Sequence, residues 1–183
     1  MSKEKVILFD TTLRDGQQTQ GVDFSVQDKV NIAKALDNIG IDYIEGGWPG
    51  ANPTDTKFFE KNNKFSNAKF TAFGMTKRSG RSADNDPQLR SLIDAHSDSI
   101  CLVAKTWDFH VDLALGISLE ENIEAIKDSV LSIKENNKEP LIDCEHFFDG
   151  FKSNPEFSFK CIEAALESGA EWVVLCDTNG GTL

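Results

Sequence analysis

Short apolar runs alternate with longer amphipathic stretches along the whole of this chain. The apolar or β-branched runs begin near Val6, Tyr43, Lys69, Ile100, Leu141 and Trp172. Successive runs begin at intervals of roughly 27 to 42 residues, which is enough for a strand, a helix and their connections. The alternation therefore predicts an α/β protein with strands at these six positions and a helix between each pair.

Capping signals indicate where the helices begin. Two long helices are predicted, over residues 25–39 and 118–136, and each begins with a serine followed three residues later by an acidic residue. This is the spacing of a capping box, in which both side chains bond to backbone NH groups of the first turn. Shorter helices are predicted where a capping residue precedes proline, in the pairs Asn52-Pro53, Asp86-Pro87 and Asn154-Pro155.

Charge and hydropathy exclude several classes of protein. A formal net charge of −11 argues against a nucleic-acid partner, because phosphates would be repelled. No run approaches the roughly 20 apolar residues of a membrane span, and the first residues do not resemble a signal peptide. The four cysteines are widely spaced, which favours reduced thiols over disulfides. We therefore expect a cytoplasmic protein with neither a nucleic-acid nor a membrane partner.

Polar residues after the strands distinguish between two architectures, an open doubly wound sheet and a (β/α)₈ barrel. An open sheet concentrates its site where the strand order reverses, whereas a barrel collects side chains from many strand ends. Polar side chains follow most of the predicted strands, as Arg14, Asp15, Gln18, Glu45, Lys105, Glu145, His146, Asp177, Thr178 and Asn179. No G-x-G-x-x-G fingerprint follows the first strand. These features favour a TIM barrel.

Length suggests that the barrel is incomplete. A closed (β/α)₈ barrel has about 250 residues, whereas this chain has 183. We therefore expect residues 1–183 to be the amino-terminal part of a TIM-barrel catalytic domain, truncated after about six βα units. The last strands, and any carboxyl-terminal regulatory domain, are expected to lie outside it.

The segment DTTLRDGQQ at residues 10–18 directly follows the apolar run at residues 6–9. We expect that run to be a buried strand that delivers acidic, cationic and amide groups to its carboxyl end. Asp15 can then ligate a hard divalent cation, while the Arg14 guanidinium faces an anionic oxygen of a substrate. On this motif alone, a surface turn held by a salt bridge is the alternative.

Three further segments form a set of motifs together with DTTLRDGQQ. They are IEGGWPG at residues 44–50, EHFFDG at residues 145–150 and LCDTNGG at residues 175–181. In this order, the four motifs resemble the isopropylmalate and homocitrate synthase family, in its citramalate synthase branch. The resemblance implies a metal-dependent (β/α)₈ barrel that condenses acetyl-CoA with a 2-oxo acid. For this branch the implied oxo acid is pyruvate, and the products are citramalate and CoA.

The resemblance also implies roles for individual residues. Arg14 matches an arginine that binds the ketone oxygen and stabilises the charge that develops there, and Asp15 matches a ligand of Mg²⁺ or Mn²⁺. Glu145 matches a catalytic carboxylate that does acid-base work or positions the acetyl group. Thr178 matches a threonine that holds the substrate carboxylate, and we expect Gln18 to contact substrate as well.

Two metal ligands of the family, a His-x-His motif, have no counterpart in this sequence and are expected beyond the chain end. We therefore expect this chain alone to bind metal weakly and to be inactive, and the intact enzyme to be a homodimer. The alternatives are a synthase that uses a different 2-oxo acid, a related lyase, or a non-catalytic domain that binds a partner through its unclosed sheet. Glu45 could pair with Arg14 or Lys105 or act in catalysis, and the roles of Lys105, His110 and His146 stay open.

Overall fold

A computed structural model describes residues 5–182. The strands in these residues are β1 (Phe9–Asp10), β2 (Tyr43–Gly47), β3 (Lys69–Met75), β4 (Ser99–Lys105), β5 (Glu139–Glu145) and β6 (Trp172–Leu175). The α-helices are α1 (Val26–Asn38), α2 (Pro53–Glu60), α3 (Pro87–Asp94), α4 (Asp108–His110), α5 (Leu119–Glu135), α6 (Phe147–Ser153) and α7 (Pro155–Glu167). The predicted alternation is confirmed, and α4 and α6 are additions that the sequence pattern does not indicate.

The chain divides into two compact units. Unit 1 contains the residues up to Phe73 together with Asp94–Ser99, and unit 2 contains Gly74–Ile93 and the residues from Ile100 onward. In unit 1, β1 pairs in parallel with β2, and β2 pairs in parallel with β3. In unit 2, β4, β5 and β6 are neighbours in the sheet in the same order as in the sequence, and β5 pairs in parallel with β6.

The first strand differs from its prediction. The apolar run from Val6 does not form a buried strand, because Val6 is 77% exposed and the strand contains only Phe9 and Asp10. The carbonyl oxygen of Leu8 accepts bonds from the backbone NH groups of Asp42 and Tyr43, so the chain already lies beside β2 at that point. Apolar composition predicted burial, but Val6 and Leu8 stay exposed, while Ile7 and Phe9 are partly buried.

Capping contacts confirm the predicted helix starts. The Ser25 hydroxyl accepts from the Asp28 backbone NH while the Asp28 carboxylate accepts from the Ser25 NH, so α1 begins with a complete capping box. The same reciprocal pair begins α5 at Ser118. Proline occupies the first turn of α2 and of α7, behind Asn52 and Asn154, whose side chains each accept from a backbone NH of the helix. Local chemistry therefore sets these boundaries.

Each unit has an apolar interior. In unit 1, Phe58, Phe59 and Phe70 are almost completely buried, and their rings contact one another. In unit 2 the fully buried side chains include Leu102, Ile126 and Ile133. The described residues include no helix that is both long enough and apolar enough to cross a membrane.

The four cysteines are reduced thiols, as the sequence predicts. Cys101, Cys144 and Cys161 are buried and Cys176 is partly exposed. Burial raises the pKa of the Cys161 thiol to about 12, although a bond from Asn122 opposes the shift. Burial also raises the pKa of Cys144. Such thiols stay protonated and unreactive at neutral pH.

Candidate active site

The loop after β1 is a compact turn that presents Arg14. The carbonyl oxygen of Thr11 accepts bonds from the backbone NH groups of Arg14, Asp15 and Gly16, at 3.1, 2.8 and 3.1 Å. The Asp10 side chain accepts from the backbone NH of Thr12 at 2.9 Å, which closes the start of the turn. The backbone around Arg14 is therefore fixed by local bonds.

The Arg14 guanidinium is held on three sides. Its Nε donates to Glu45 Oε2 at 2.6 Å, and Nη1 donates to Asp15 Oδ1 at 3.1 Å. The guanidinium carbon lies 3.9 Å from the centre of the Phe73 ring, in the geometry of a cation–π contact. A guanidinium has five N–H donors, so these contacts orient the group and still leave donors for an anionic ligand.

Glu45 pairs with Arg14, one of the two structural alternatives that the sequence leaves open. The Glu45 side chain is completely buried within β2, and the Arg14 side chain is 16% exposed. A buried carboxylate that bonds Nε fixes the plane of the guanidinium, because the fork geometry of arginine is rigid. We infer that Glu45 orients Arg14.

Asp15 and Gln18 are more accessible. The Asp15 side chain is 62% exposed although one carboxylate oxygen contacts Arg14. Gln18 is exposed in the short helical turn Gly16–Gln18 that follows. An exposed carboxylate beside a fixed arginine suits a hard cation, which prefers oxygen ligands, so the donor type at Asp15 fits Mg²⁺ or Mn²⁺.

Lys29 is absent from the residues that the sequence motifs indicate. It lies in α1 with its side chain completely buried, and its ammonium donates to the carbonyl oxygens of Leu13 at 2.9 Å and Gly46 at 3.0 Å. The third partner is the carboxylate of Asp55. Burial lowers the pKa of Lys29, and the bond to Asp55 opposes that shift. The sequence does contain one signal of a special role for Lys29, because this charged residue interrupts the apolar stripe of α1 next to Val30.

Asp55 fixes the chain just after β2. Its carboxylate accepts from the backbone NH of Trp48 and the side-chain amide of Asn52, both at 2.8 Å. Gly47 lies directly against this carboxylate, and a Cβ atom there would come within 2.5 Å of the Asp55 carboxyl carbon. Gly47 also has a φ of 140°, which side-chain-bearing residues rarely adopt.

Unit 2 has its own ion pair, at the ends of β4 and β5. Lys105 contacts the carboxylate of Glu145, and the two side chains are 15% and 27% exposed. The Thr106 hydroxyl donates to the backbone carbonyl of Glu145 at 2.9 Å. The sequence left open whether Glu45 pairs with Arg14 or with Lys105. In the structure Lys105 pairs with Glu145, and Glu45 pairs with Arg14.

His146 connects Glu145 to the loop after β6. Its backbone NH donates to the Thr178 hydroxyl at 2.9 Å, and its Nδ1 lies 3.1 Å from Asp149 Oδ2. The same Asp149 oxygen accepts from the Asn179 amide at 2.9 Å. His146 has a φ of 52°, so its backbone is in the left-handed region, where such residues cluster at functional sites.

His110 packs edge-on against His146, with ring centres 4.5 Å apart, and also contacts Trp107. Burial is the main cause that lowers the pKa of His110, and the charges of His146 and Lys105 lower it further. The structure thus brings Glu145, His146 and Thr178 together in unit 2, and Arg14, Asp15 and Glu45 together in unit 1.

Comparison with known proteins identifies relatives over nearly the whole chain. The sequence profile of the HMGL-like family matches residues 5–183. The (R)-citramalate synthase of Aquifex aeolicus (strain VF5) is 55% identical over 182 residues, which are 98% of this chain and 34% of that protein. A 2-isopropylmalate synthase of Sulfolobus acidocaldarius is 32% identical over 180 residues, which are 98% of this chain and 44% of that protein. The chain therefore spans less than half the length of these relatives.

A solved structure has the same fold. The HMG-CoA lyase from Brucella melitensis matches with a TM-score of 0.76 at 16% sequence identity, over 98% of this chain and 63% of that chain. The predicted fold class is confirmed, and the chain supplies six strands of a (β/α)₈ barrel. With a family profile that covers almost all of its residues, the chain belongs to the HMGL-like family.

Proposed function

We propose that the full-length protein is an acyltransferase that condenses acetyl-CoA with pyruvate to give citramalate and CoA. The observation that carries the choice of pyruvate is the difference in identity between the two relatives, 55% to the citramalate synthase and 32% to the isopropylmalate synthase. The Arg14 cluster supports the reaction type, because a Claisen-type condensation builds negative charge on the ketone oxygen.

Each residue role follows from what the reaction demands. A base removes a proton from the acetyl methyl group, and the resulting carbanion forms a bond to the ketone carbon of pyruvate. The ketone oxygen becomes an alkoxide and takes up a proton, and water then cleaves the thioester to release CoA. We assign the acid-base work to Glu145 and the stabilisation of the developing oxygen charge to Arg14.

Substrate binding is assigned to the residues beside these two groups. The Thr178 hydroxyl accepts a bond from the His146 backbone NH, which leaves its own hydrogen available to donate. A carboxylate is the acceptor that such a hydroxyl suits, so we assign the pyruvate carboxylate to Thr178. Gln18 is exposed on the turn that carries Asp15, and we retain it as a further substrate contact.

Asp15 is the residue of this chain that would hold the divalent metal. Its exposed carboxylate is a suitable oxygen ligand, and the remaining ligands are expected from the His-x-His motif outside this chain. When bound, Mg²⁺ or Mn²⁺ supplies Lewis-acid polarisation of the ketone. We expect Asp15→Asn to raise the Mg²⁺ concentration needed for half-maximal activity. An unchanged metal titration would contradict this assignment.

Thiol release tests the function directly. The full-length protein is assayed with acetyl-CoA, Mg²⁺ and, in separate reactions, pyruvate, 2-oxoisovalerate or 2-oxoglutarate. A reaction without oxo acid corrects for thioester hydrolysis, and the product is identified by mass spectrometry. We expect pyruvate to give the fastest release, with citramalate as the product.

Other outcomes identify the alternatives. Faster release with 2-oxoisovalerate or 2-oxoglutarate would indicate an isopropylmalate or homocitrate synthase. No release with any of the three would favour a lyase or a non-catalytic interaction domain. We further propose that the intact enzyme is a cytoplasmic homodimer whose ligands are small molecules, and light scattering of the purified protein tests the dimer.

A further inference from the structure

Lys29 bonds to the two chain segments that carry the Arg14–Glu45 ion pair. Leu13, whose carbonyl oxygen accepts from Lys29, immediately precedes Arg14. Gly46, whose carbonyl oxygen accepts from the same ammonium, immediately follows Glu45. One buried side chain therefore contacts the neighbours of both members of the pair.

We propose that Lys29 is a positioning residue, which sets the register between the loop after β1 and the end of β2 so that Glu45 can orient Arg14. Its ammonium donates to three protein oxygens, so it acts through Arg14 and not on substrate directly. One bonded carbonyl belongs to the loop after β1 and the other to the last residues of β2, where a small displacement would separate Arg14 Nε from Glu45 Oε2.

The contacts of the ammonium support a role in geometry. An ammonium has three N–H donors, and the carbonyls of Leu13 and Gly46 together with the Asp55 carboxylate accept all three. Burying a charged pair gains little stability over well-packed apolar residues of the same volume. What an apolar side chain cannot reproduce is directional bonding to two carbonyl oxygens.

Asp55 extends the same bonding to the segment after β2. Besides Lys29, its carboxylate accepts from the Trp48 backbone NH, so the lysine and the aspartate together fix residues on both sides of Gly47. Removing Lys29 alone leaves a 4%-exposed carboxylate without its cation, which destabilises the fold in addition to any effect on Arg14. The experiment has to separate these two effects.

Three variants separate positioning from stability. Lys29→Met removes the ammonium and keeps the side-chain length, and the double variant Lys29→Met, Asp55→Asn also removes the buried negative charge. Lys77→Met is the matched control, because Lys77 is 8% exposed and bonds to the Arg81 carbonyl and the Asp128 carboxylate in unit 2. All three are made in the full-length protein.

The first measurement is independent of catalysis. The Arg14 Nε–H gives an NMR signal, identified by its loss in Arg14→Lys, and the bond to buried Glu45 should slow its exchange with solvent. We expect Lys29→Met and the double variant to accelerate this exchange, and Lys77→Met to leave it unchanged. Unchanged exchange in Lys29→Met would overturn the proposal even if the protein proved to have another function.

The second measurement is kinetic and rests on the proposed function. We expect kcat/KM for pyruvate to fall about 100-fold in Lys29→Met, as displacements near 1 Å can cause, while KM for acetyl-CoA stays the same. The double variant should recover the urea midpoint but not kcat/KM. Recovery of both would show that Lys29 only stabilises the fold. An inactive wild type would reject the proposed function, and the exchange measurement would still decide the role of Lys29.

Discussion

The Arg14–Glu45 and Lys105–Glu145 ion pairs differ in burial and in the type of cation. In unit 1, Arg14 faces a completely buried Glu45 and the ring of Phe73. In unit 2, Lys105 faces Glu145, a carboxylate that is 27% exposed. Arginine forms a rigid planar fork, whereas lysine presents a compact charge on a flexible stem.

This difference indicates a division of labour. A buried glutamate that bonds Arg14 keeps one orientation of the guanidinium, which suits the stabilisation of charge at a fixed point. A carboxylate that reaches solvent and is held by a flexible lysine can change its contacts, which suits a group that takes up and releases a proton. We infer that the unit 1 pair positions a charge and that Glu145 in the unit 2 pair moves a proton.

The largest expected effect is that of Arg14→Lys in the full-length protein. We expect kcat to fall by about 10²–10³-fold, because an ammonium cannot bond both Glu45 and the ketone oxygen of the proposed reaction with the geometry of the fork. Lys105→Arg in unit 2 is the matched exchange and should cost less. Steady-state kinetics with unchanged circular dichroism checks both. Equal losses would remove the proposed division between the pairs.

A second comparison removes one charge from each pair. We expect Glu45→Gln to lower the free energy of unfolding by about 3 kcal/mol, because it breaks a buried pair. Glu145→Gln should cost about 1 kcal/mol or less, since that pair is partly solvated. Urea unfolding of this chain measures the two values. A larger loss for Glu145→Gln would mean that exposure does not govern the strength of these pairs.

Thr178 tests whether unit 2 also binds substrate. We expect Thr178→Val, which keeps the side-chain shape and loses the hydroxyl, to raise KM for pyruvate about tenfold with little change in kcat. Initial rates over a range of pyruvate concentrations provide the measurement. A fall in kcat at constant KM would instead place the hydroxyl in the transition state.

The smallest expected effect is a pH dependence at His110 in unit 2. Burial, His146 and Lys105 hold its pKa below the ordinary 6.5, whereas Glu145 and Asp149 oppose the shift. The unfolded chain therefore takes up a proton more readily, and the free energy of unfolding should fall as pH drops below 6.5. NMR titration of the ring should give a midpoint below 6.5, and the pH slope should diminish in His110→Phe.

Local chemistry explains what could be predicted from the sequence. The capping boxes at Ser25 and Ser118 involve residues three positions apart, so their spacing alone locates α1 and α5. Whether Val6 is buried or exposed depends on packing against distant parts of the chain. No local sequence pattern contains that information. The start of α6 is hidden for another reason, because His146 precedes it in a left-handed conformation without a side-chain cap.

The candidate site shows the same limit. The motifs predict Arg14 and Asp15 as site residues because residue type and order carry that signal. They leave the partners of Glu45 and Lys105 open, since either cation could meet either carboxylate until the strands are paired. The motifs do not include Lys29. Its position in the apolar stripe of α1 is a weak signal, because a lysine in an amphipathic helix ordinarily reaches solvent.

The close approach of Gly47 to Asp55 restricts laboratory evolution of this protein. Libraries that aim to change the substrate preference would naturally randomise the residues around Arg14, including those that follow β2. Any side chain introduced at Gly47 would collide with the Asp55 carboxyl group and displace the partner of Lys29. Mutational sampling near Arg14 should therefore vary other positions and keep this glycine constant.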